Sequence, residues 1–294
     1  MFSLHTRLPF DVDRLLRFLA QRAIPGVEQV QAGCIRRSLR PGAVAAPGGW
    51  IEVSFTAGAP RLQMQVSDTL VAHGAQVIGA VRRWLDLDSA AHAVHAALQG
   101  VPGDAGLRLP GSLDAFELAV RAVLGQQVTV AGARTLASRL VQRFGSALAT
   151  PWPEITLTFP APHTLADAAT EHIAELGIIR TRARAIVALA QAWPELSGLF
   201  AEPTAPGAPA RQMAALCALP GIGPWTAQYI AMRALSWADA FPPNDVALLK
   251  AMTLHFGTRS QREADVLAEQ WRPWRAYAVL RLWNSLEGLP RKPA

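Results

Sequence analysis

The longest uncharged run of the chain, Gln212 to Met232, is broken at its centre by Pro220-Gly221-Ile222-Gly223-Pro224. By count the run is long enough to cross a bilayer, but the break would leave backbone groups that lipid cannot pair, which argues against a membrane span. Two helices joined by a very short turn satisfy the same residues. Pro220 ends the first helix, Gly221 and Gly223 permit positive φ, and Pro224 has the fixed φ favoured at the first position of the second. Backbone N–H groups between the prolines lack intrahelical partners and face the positive end of the second helix, an arrangement that binds anions. Glycines without Cβ also admit a polymer strand close to the main chain. This is the pattern of a helix-hairpin-helix that grips a phosphate backbone; a plain tight turn between packed helices is the alternative.

The residues that follow favour the first reading. Phe241-Pro242-Pro243-Asn244-Asp245 precedes an apolar-periodic run, Val246 to Phe256, that predicts a helix. A carboxylate at such a helix start is a good N-cap and also a candidate reacting group, and the two roles are compatible. Trp225 and Tyr229, at i and i+4, share one face of the second hairpin helix. Trp283, amid Leu280, Leu282 and Leu286, fits a core aromatic.

Composition narrows the chemistry. The chain has 294 residues, 51% of them hydrophobic and 17% charged, with a net charge of +6. That describes a globular protein of two or three domains for which a polyanionic partner is favoured. Among the 28 basic residues the only lysines are Lys250 and Lys292. A Schiff base with an opened sugar needs an amine, which Arg does not supply, so few positions suit that route. Two cysteines, Cys34 and Cys217, are too few for a four-cysteine iron–sulfur cluster or a zinc finger. His92 and His95 stand at i and i+3 without a carboxylate or cysteine at ligand spacing and read as exposed helix residues. The amino terminus shows no signal-peptide core, so a cytoplasmic location is expected.

The composition changes near residue 100. Before it, Val30 to Leu39, Trp50 to Phe55 and Leu62 to Val66 are strand-like, with turns at Pro41-Gly42 and Ala46 to Gly49. Helices are expected over Asp11 to Ala23 and Thr69 to Leu85. A Gly- and Pro-rich connection, Gly100 to Gly111, leads into a region with almost no strand signal. Helical spacing runs from Leu113 to Leu124 and from Val130 to Phe144 before Gly145, then over Thr164 to Leu176 and Arg182 to Trp193. Residues 202–210 read as a surface loop. Arg134, Arg139, Arg182, Arg184, Arg272 and Arg275 are candidate phosphate contacts, although a solvated helix face is the default for each one singly.

Five segments carry a resemblance over nearly the whole chain: Leu109-Pro110-Gly111, Asp114-Ala115-Phe116-Glu117, Leu124-Gly125-Gln126-Gln127-Val128, Leu219 to Ala227, and Trp271-Arg272-Pro273-Trp274-Arg275. In order and separation they resemble the inducible bacterial 3-methyladenine-DNA glycosylase II family of the helix-hairpin-helix superfamily. The resemblance implies an α+β fold: a small N-terminal domain with an antiparallel sheet (1–88), a helical domain with the hairpin (113–237), and a second helical domain from 89–112 and 238–294. It implies Asp245 as the catalytic carboxylate and Trp225, Tyr229, Trp283 and Phe18 as the base pocket. Pro220, Gly221, Ile222, Gly223, Thr226 and Gln127 would contact DNA, with Gln127 where the family places a bulky apolar wedge. Main-chain carbonyls of Cys217, Leu219 and Ile222 would hold a monovalent cation, Na or K; no other cofactor is required, and no iron–sulfur cluster is expected.

The expected reaction follows from the chemistry of the substrate. A base stacked inside duplex DNA must be flipped out before its glycosidic bond is reached. Alkylation at purine N3 or N7 leaves the base cationic, attractive to ring faces by roughly 0.5–2 kcal/mol and ready to leave. One carboxylate then suffices, without the second, protonated carboxyl that glycoside hydrolysis calls for. Strand-cutting relatives carry Lys where this chain has Trp225, so a monofunctional, monomeric enzyme acting on double-stranded damaged DNA is implied. A glycosylase for deaminated or otherwise damaged bases, or a non-catalytic DNA-binding hairpin protein, are the alternatives.

Overall fold

The computed structural model describes residues 1–31, 33–40, 48–56, 58–201 and 207–287. Its N-terminal part runs β1 (Phe2–His5), α1 (Val12–Arg22), β2 (Glu28–Gln31), β3 (Cys34–Leu39), β4 (Gly49–Phe55), β5 (Arg61–Val66), α2 (Asp68–Val71) and α3 (Gly74–Trp84). The strands form one antiparallel sheet in the order β1-β5-β4-β3-β2. Alternation places Ile35, Ile51, Val53, Leu62 and Met64 in one core with Leu15, Leu16 and Leu19 of α1 and Val77, Val81 and Trp84 of α3.

Three local expectations are corrected here. The stretch Val30 to Leu39 is a hairpin rather than one strand: the chain reverses near Gly33, at φ +71°, and Val30 pairs with Ile35. Thr69 to Leu85 is two helices, interrupted at Ala72 and His73 and resumed at Gly74, a weak helix former that lies against the Phe2 ring. Strand β1 was not expected at all. Residues 41–47, which include most of the expected turns, lie outside the described residues.

Apart from a short antiparallel pair, β6 (Ser146–Ala147) with β7 (Leu157–Thr158), the remainder is helical: α4 (Ala91–Ala97), α5 (Ala115–Leu124), α6 (Val130–Phe144), α7 (Pro162–Ala166), α8 (Thr170–Ala174), α9 (Arg180–Ala201), α10 (Ala208–Cys217), α11 (Pro224–Ala234), α12 (Val246–Phe256), α13 (Gln261–Ala268) and α14 (Arg275–Ser285). Side chains start the helices as the sequence suggests: Asp114 accepts from Phe116 N at 2.8 Å, and Thr129 accepts from Gly132 N at 3.1 Å. The expected helix Thr164 to Leu176 is the pair α7 and α8. Helix α9 runs past Trp193 and through Pro194, which removes one backbone donor without ending it. No described helix is long and apolar enough to cross a membrane.

The helical part has two apolar cores. One gathers Phe116, Val120, Leu140, Ile186, Leu189, Leu216, Ile222 and Ile230, and takes Ile24 and Val27 from the N-terminal part. The other joins Val94, Leu98, Leu107 and Leu109 to Met232, Leu248, Met252, Trp271 and Leu280. Helix α11 contributes to both, with Ile230 in the first and Met232 in the second.

The sheet is fastened to α5 by a closed ring of buried charges. Arg37, 3% exposed and on the core face of β3, bonds Glu28 and Glu117 at 2.7 Å each. Arg121 closes the ring, with Glu28 at 2.9 Å and Glu117 at 2.8 Å. Glu28 also accepts the N–H of Ile24 at 3.1 Å, so each buried carboxylate has several donors.

Candidate active site

Asp245 is the N-cap of α12, and its Oδ1 accepts from Leu248 N at 2.6 Å. The preceding Asn244 turns the chain at φ +56°, and its N–H donates to Gln261 Oε1 at 2.8 Å, which anchors the loop to α13. The carboxylate is buried, at 8% exposure. Two indoles point at it: Trp225 of α11 donates Nε1–H to Oδ2 at 2.7 Å, and Trp283 of α14 donates to Oδ1 at 3.0 Å. An ionised carboxylate has about four acceptor positions, so one remains after these three bonds. Among the described residues no ion pair reaches Asp245. The group is therefore held by neutral donors, with room to face one water or one developing positive centre.

The rings around it are ordered. Trp225 and Tyr229 stack on each other, with centroids 5.4 Å apart and an interplanar angle of 4°. Trp283 lies 6.4 Å from Tyr229 at 46°. It also packs on the C-terminal core. Tyr229 Oη accepts from Arg233 Nη1 at 2.9 Å. Burial would raise the Tyr229 phenol, but the guanidiniums of Arg233, Arg22 and Arg121 outweigh it and hold the group below its ordinary value. Phe18 of α1 meets this cluster through Arg233, whose guanidinium lies 4.9 Å from the Phe18 ring. A cavity beside Phe18, bordered by Arg14, Arg108 and Asn284, does not include Asp245. Converging donors, rather than cavity size, mark the site.

The hairpin between α10 and α11 departs from expectation in two ways. Gly221 adopts φ +79°, but Gly223 has φ −94° and does not use its freedom. Ile222 and Thr226, at 4% and 3% exposure, turn their side chains inward, so contact through these two is limited to the main chain. The Thr226 hydroxyl is taken: Gln126 Nε2 donates to it at 3.0 Å and to Gly221 O at 2.9 Å. Pro220 and Gly223 remain outward, and a Cβ on Gly223 would meet nothing within 4 Å. On Gly221 it would lie 2.9 Å from Ala185 Cβ. Gly221→Ala is therefore expected to cost roughly 2 kcal/mol of stability and Gly223→Ala roughly none, as read by denaturant midpoints.

Gln127 stands exposed at φ +54° between α5 and α6, beside the exposed Val128 and Val130. Of the candidate phosphate-binding arginines, Arg272 and Arg275 are engaged by Asp239 and Glu269. Arg139 bonds Leu176 O at 2.9 Å and Arg182 is buried, which leaves Arg134 and Arg184 outward. Among the described residues no group of three or more His, Cys, Asp and Glu is placed to hold a metal. Gln126, Arg233 and Gln261 were missed as site residues; each is an ordinary polar residue whose partner is distant in sequence.

Residues 1–114 match the AlkA N-terminal domain, and residues 120–276 match the HhH-GPD superfamily base excision DNA repair protein. The chain belongs to the HhH-GPD superfamily. This HhH-GPD protein is 37% identical over 285 residues to the DNA-3-methyladenine glycosylase 2 of Escherichia coli, covering 96% of each chain. It is 37% identical over 292 residues to a probable bifunctional transcriptional activator/DNA repair enzyme AlkA of Mycobacterium tuberculosis, spanning 56% of that longer protein. Among solved structures, a 3-methyladenine DNA-glycosylase from Archaeoglobus fulgidus superposes with a TM-score of 0.81 at 19% identity, over 96% of this chain and 97% of that one. The α+β organisation, an antiparallel sheet followed by a helical hairpin-bearing body, is thus both the observed and the shared fold of this HhH-GPD protein.

Proposed function

We propose that the chain is a monofunctional DNA glycosylase that flips an alkylated purine, 3-methyladenine or 7-methylguanine, out of duplex DNA and hydrolyses its N-glycosidic bond with Asp245. The observation that carries this reading is the buried carboxylate with one free acceptor position, bonded by two indole donors against which the Tyr229 ring packs. A flipped cationic base gains by lying on the faces of Tyr229 and Trp283, with Phe18 beyond, and it departs without a general acid. The free position of Asp245 then stabilises the oxocarbenium-like sugar or aligns the attacking water. Among the described residues no amine stands at the site: Trp225 spends its N–H on Asp245, and Lys250 is exposed along α12. The product is an abasic site in an intact strand.

The hairpin is the backbone grip in this proposal. Its main chain from Gly221 to Thr226, with the start of α11 behind it, faces a phosphate, and Pro220 and Gly223 line the approach. Gln127 enters the gap left by the base. Helix α10 ends at Cys217, so the carbonyls of Cys217, Leu219 and Ile222 lie at or beyond a helix C-terminus, where neutral oxygens and a partial negative charge suit Na or K. Leu219 O already accepts Ile222 N–H at 3.3 Å and keeps one lone pair free. Held there, such an ion would add positive charge to the turn that meets the DNA backbone. The protein is proposed to act as a monomer in the cytoplasm.

The test is base release from methylated duplex DNA, followed by chromatography of the free bases and electrophoresis of the strands. Free 3-methyladenine with strands that break only after alkali is the expected result. DNA binding without base release would leave a non-catalytic binding protein. Release confined to deaminated bases would move the substrate class, and scission without alkali would overturn the monofunctional reading.

A further inference from the structure

The Arg233 guanidinium contacts Tyr229, Phe18 and the segment that joins the parts of the chain. It lies on α11 at 6% exposure, one turn from Tyr229 and on the same face. Nη1 donates to Tyr229 Oη at 2.9 Å, Nη2 to Gly111 O at 3.4 Å, and Nε to Pro110 O. Its flat face lies 4.9 Å from the Phe18 ring, which Arg22 of α1 also covers at 3.7 Å. We propose that Arg233 is a positioning residue for base excision: it sets the plane of Tyr229 and ties that ring to Phe18, so that the N-terminal part forms a wall of the base pocket. This rests on the reading of Asp245 as the centre of a glycosylase.

A buried guanidinium persists where its donors are matched, and backbone carbonyls at Pro110 and Gly111 are acceptors that no rotamer change removes. A planar fork fixed on one side by those carbonyls fixes the direction of the N–H it presents to Tyr229, which an ammonium on a flexible stem does not. Tyr229 lies parallel to Trp225, and Trp225 holds Asp245 Oδ2. A tilt of the phenol therefore reaches the carboxylate through two contacts. Arg233 itself touches neither Asp245 nor the place where the sugar would stand.

The chain has two tyrosines, Tyr229 and Tyr277, which makes the coupling visible. Burial beside Asp86 pushes the Tyr277 phenol up, whereas Tyr229 is held down by its guanidiniums, so an ultraviolet titration of phenolate resolves the two. In Arg233→Met the lower transition is expected to move up toward the ordinary tyrosine value. Single-turnover base release should fall about 10- to 100-fold, while affinity for duplex DNA holds within about twofold. Arg233→Lys should restore part of the titration shift but little of the rate. Tyr229→Phe, which burdens the fold least, should lose rate on its own and make Arg233→Lys nearly silent when the two are combined. The proposal is overturned if Arg233→Met keeps the parent rate, if its lower phenol transition stays in place, or if Tyr229→Phe releases base normally. Should Arg233→Met fail to fold, the lysine and phenylalanine variants decide alone. If the parent protein releases no base, the functional reading fails, and the titration still judges whether Arg233 governs Tyr229.

Discussion

Asp245→Asn is expected to bind methylated duplex DNA about as well as the parent protein and to release base about a hundredfold to ten-thousandfold more slowly. Asn is as good an N-cap as Asp, so α12 keeps its start and Leu248 N keeps its acceptor. What is lost is the negative charge and one of two acceptor atoms: the amide NH2 must then face an indole N–H that the carboxylate had accepted. The stability cost of that mismatch is on the order of 1–3 kcal/mol, too small to unfold a domain of ordinary stability. Single-turnover kinetics alongside a DNA-binding isotherm separate the two effects. Full activity in this variant would remove Asp245 from the reaction while leaving the family assignment intact.

The largest stability effect is expected at the ring formed by Arg37, Glu28, Arg121 and Glu117. Glu117→Leu leaves the buried Arg37 and the partly buried Arg121 each short of an acceptor and should cost about 3–5 kcal/mol, read as a lowered denaturant midpoint. Pairing it with Arg37→Met removes one uncompensated charge, and most of the loss should return. Acid should weaken the same ring. Burial pushes the Glu28 carboxyl up, but Arg121, Arg37 and the Ile24 N–H outweigh it and hold the group below its ordinary value. Its contribution is then whole above the unfolded value of about pH 4.3 and fades as pH falls through the lower folded value. A double variant as unstable as Glu117→Leu alone would show that packing, rather than charge, makes this junction.

Legibility in the sequence followed the range of the interaction. Caps, apolar spacing and proline breaks are local, and they placed α5, α6, α11 and α12 to within about a residue or two. The hairpin β2–β3 lies in a stretch that is strand-like throughout, because its reversal uses Gly33 at φ +71° rather than a Pro-Gly signature. Proline carried a false signal at Pro194, where neighbouring packing by Trp193 and Leu196 keeps the helix going. At the site, Asp245, Trp225 and Tyr229 announced themselves by spacing within one segment, but the bond from Trp283 crosses 38 positions of chain. Gln126 reaches Gly221 across 95 positions, and Arg233 reaches Pro110 across 123. No periodicity encodes such pairings; they exist only once the cores have docked.

The core that joins Val94, Leu98, Leu107 and Leu109 to residues from Met232 to Leu282 has a consequence for how the protein is born. As the chain leaves the ribosome, its early half of that core stays uncovered through the synthesis of everything between, and α14 is what completes the cover. The same helix brings Trp283 to Asp245, so burial of the last sticky surface and assembly of the carboxylate cage are one event. A chain cut short before α14 is then marked for aggregation or degradation and does not persist as a half-built base-excision protein.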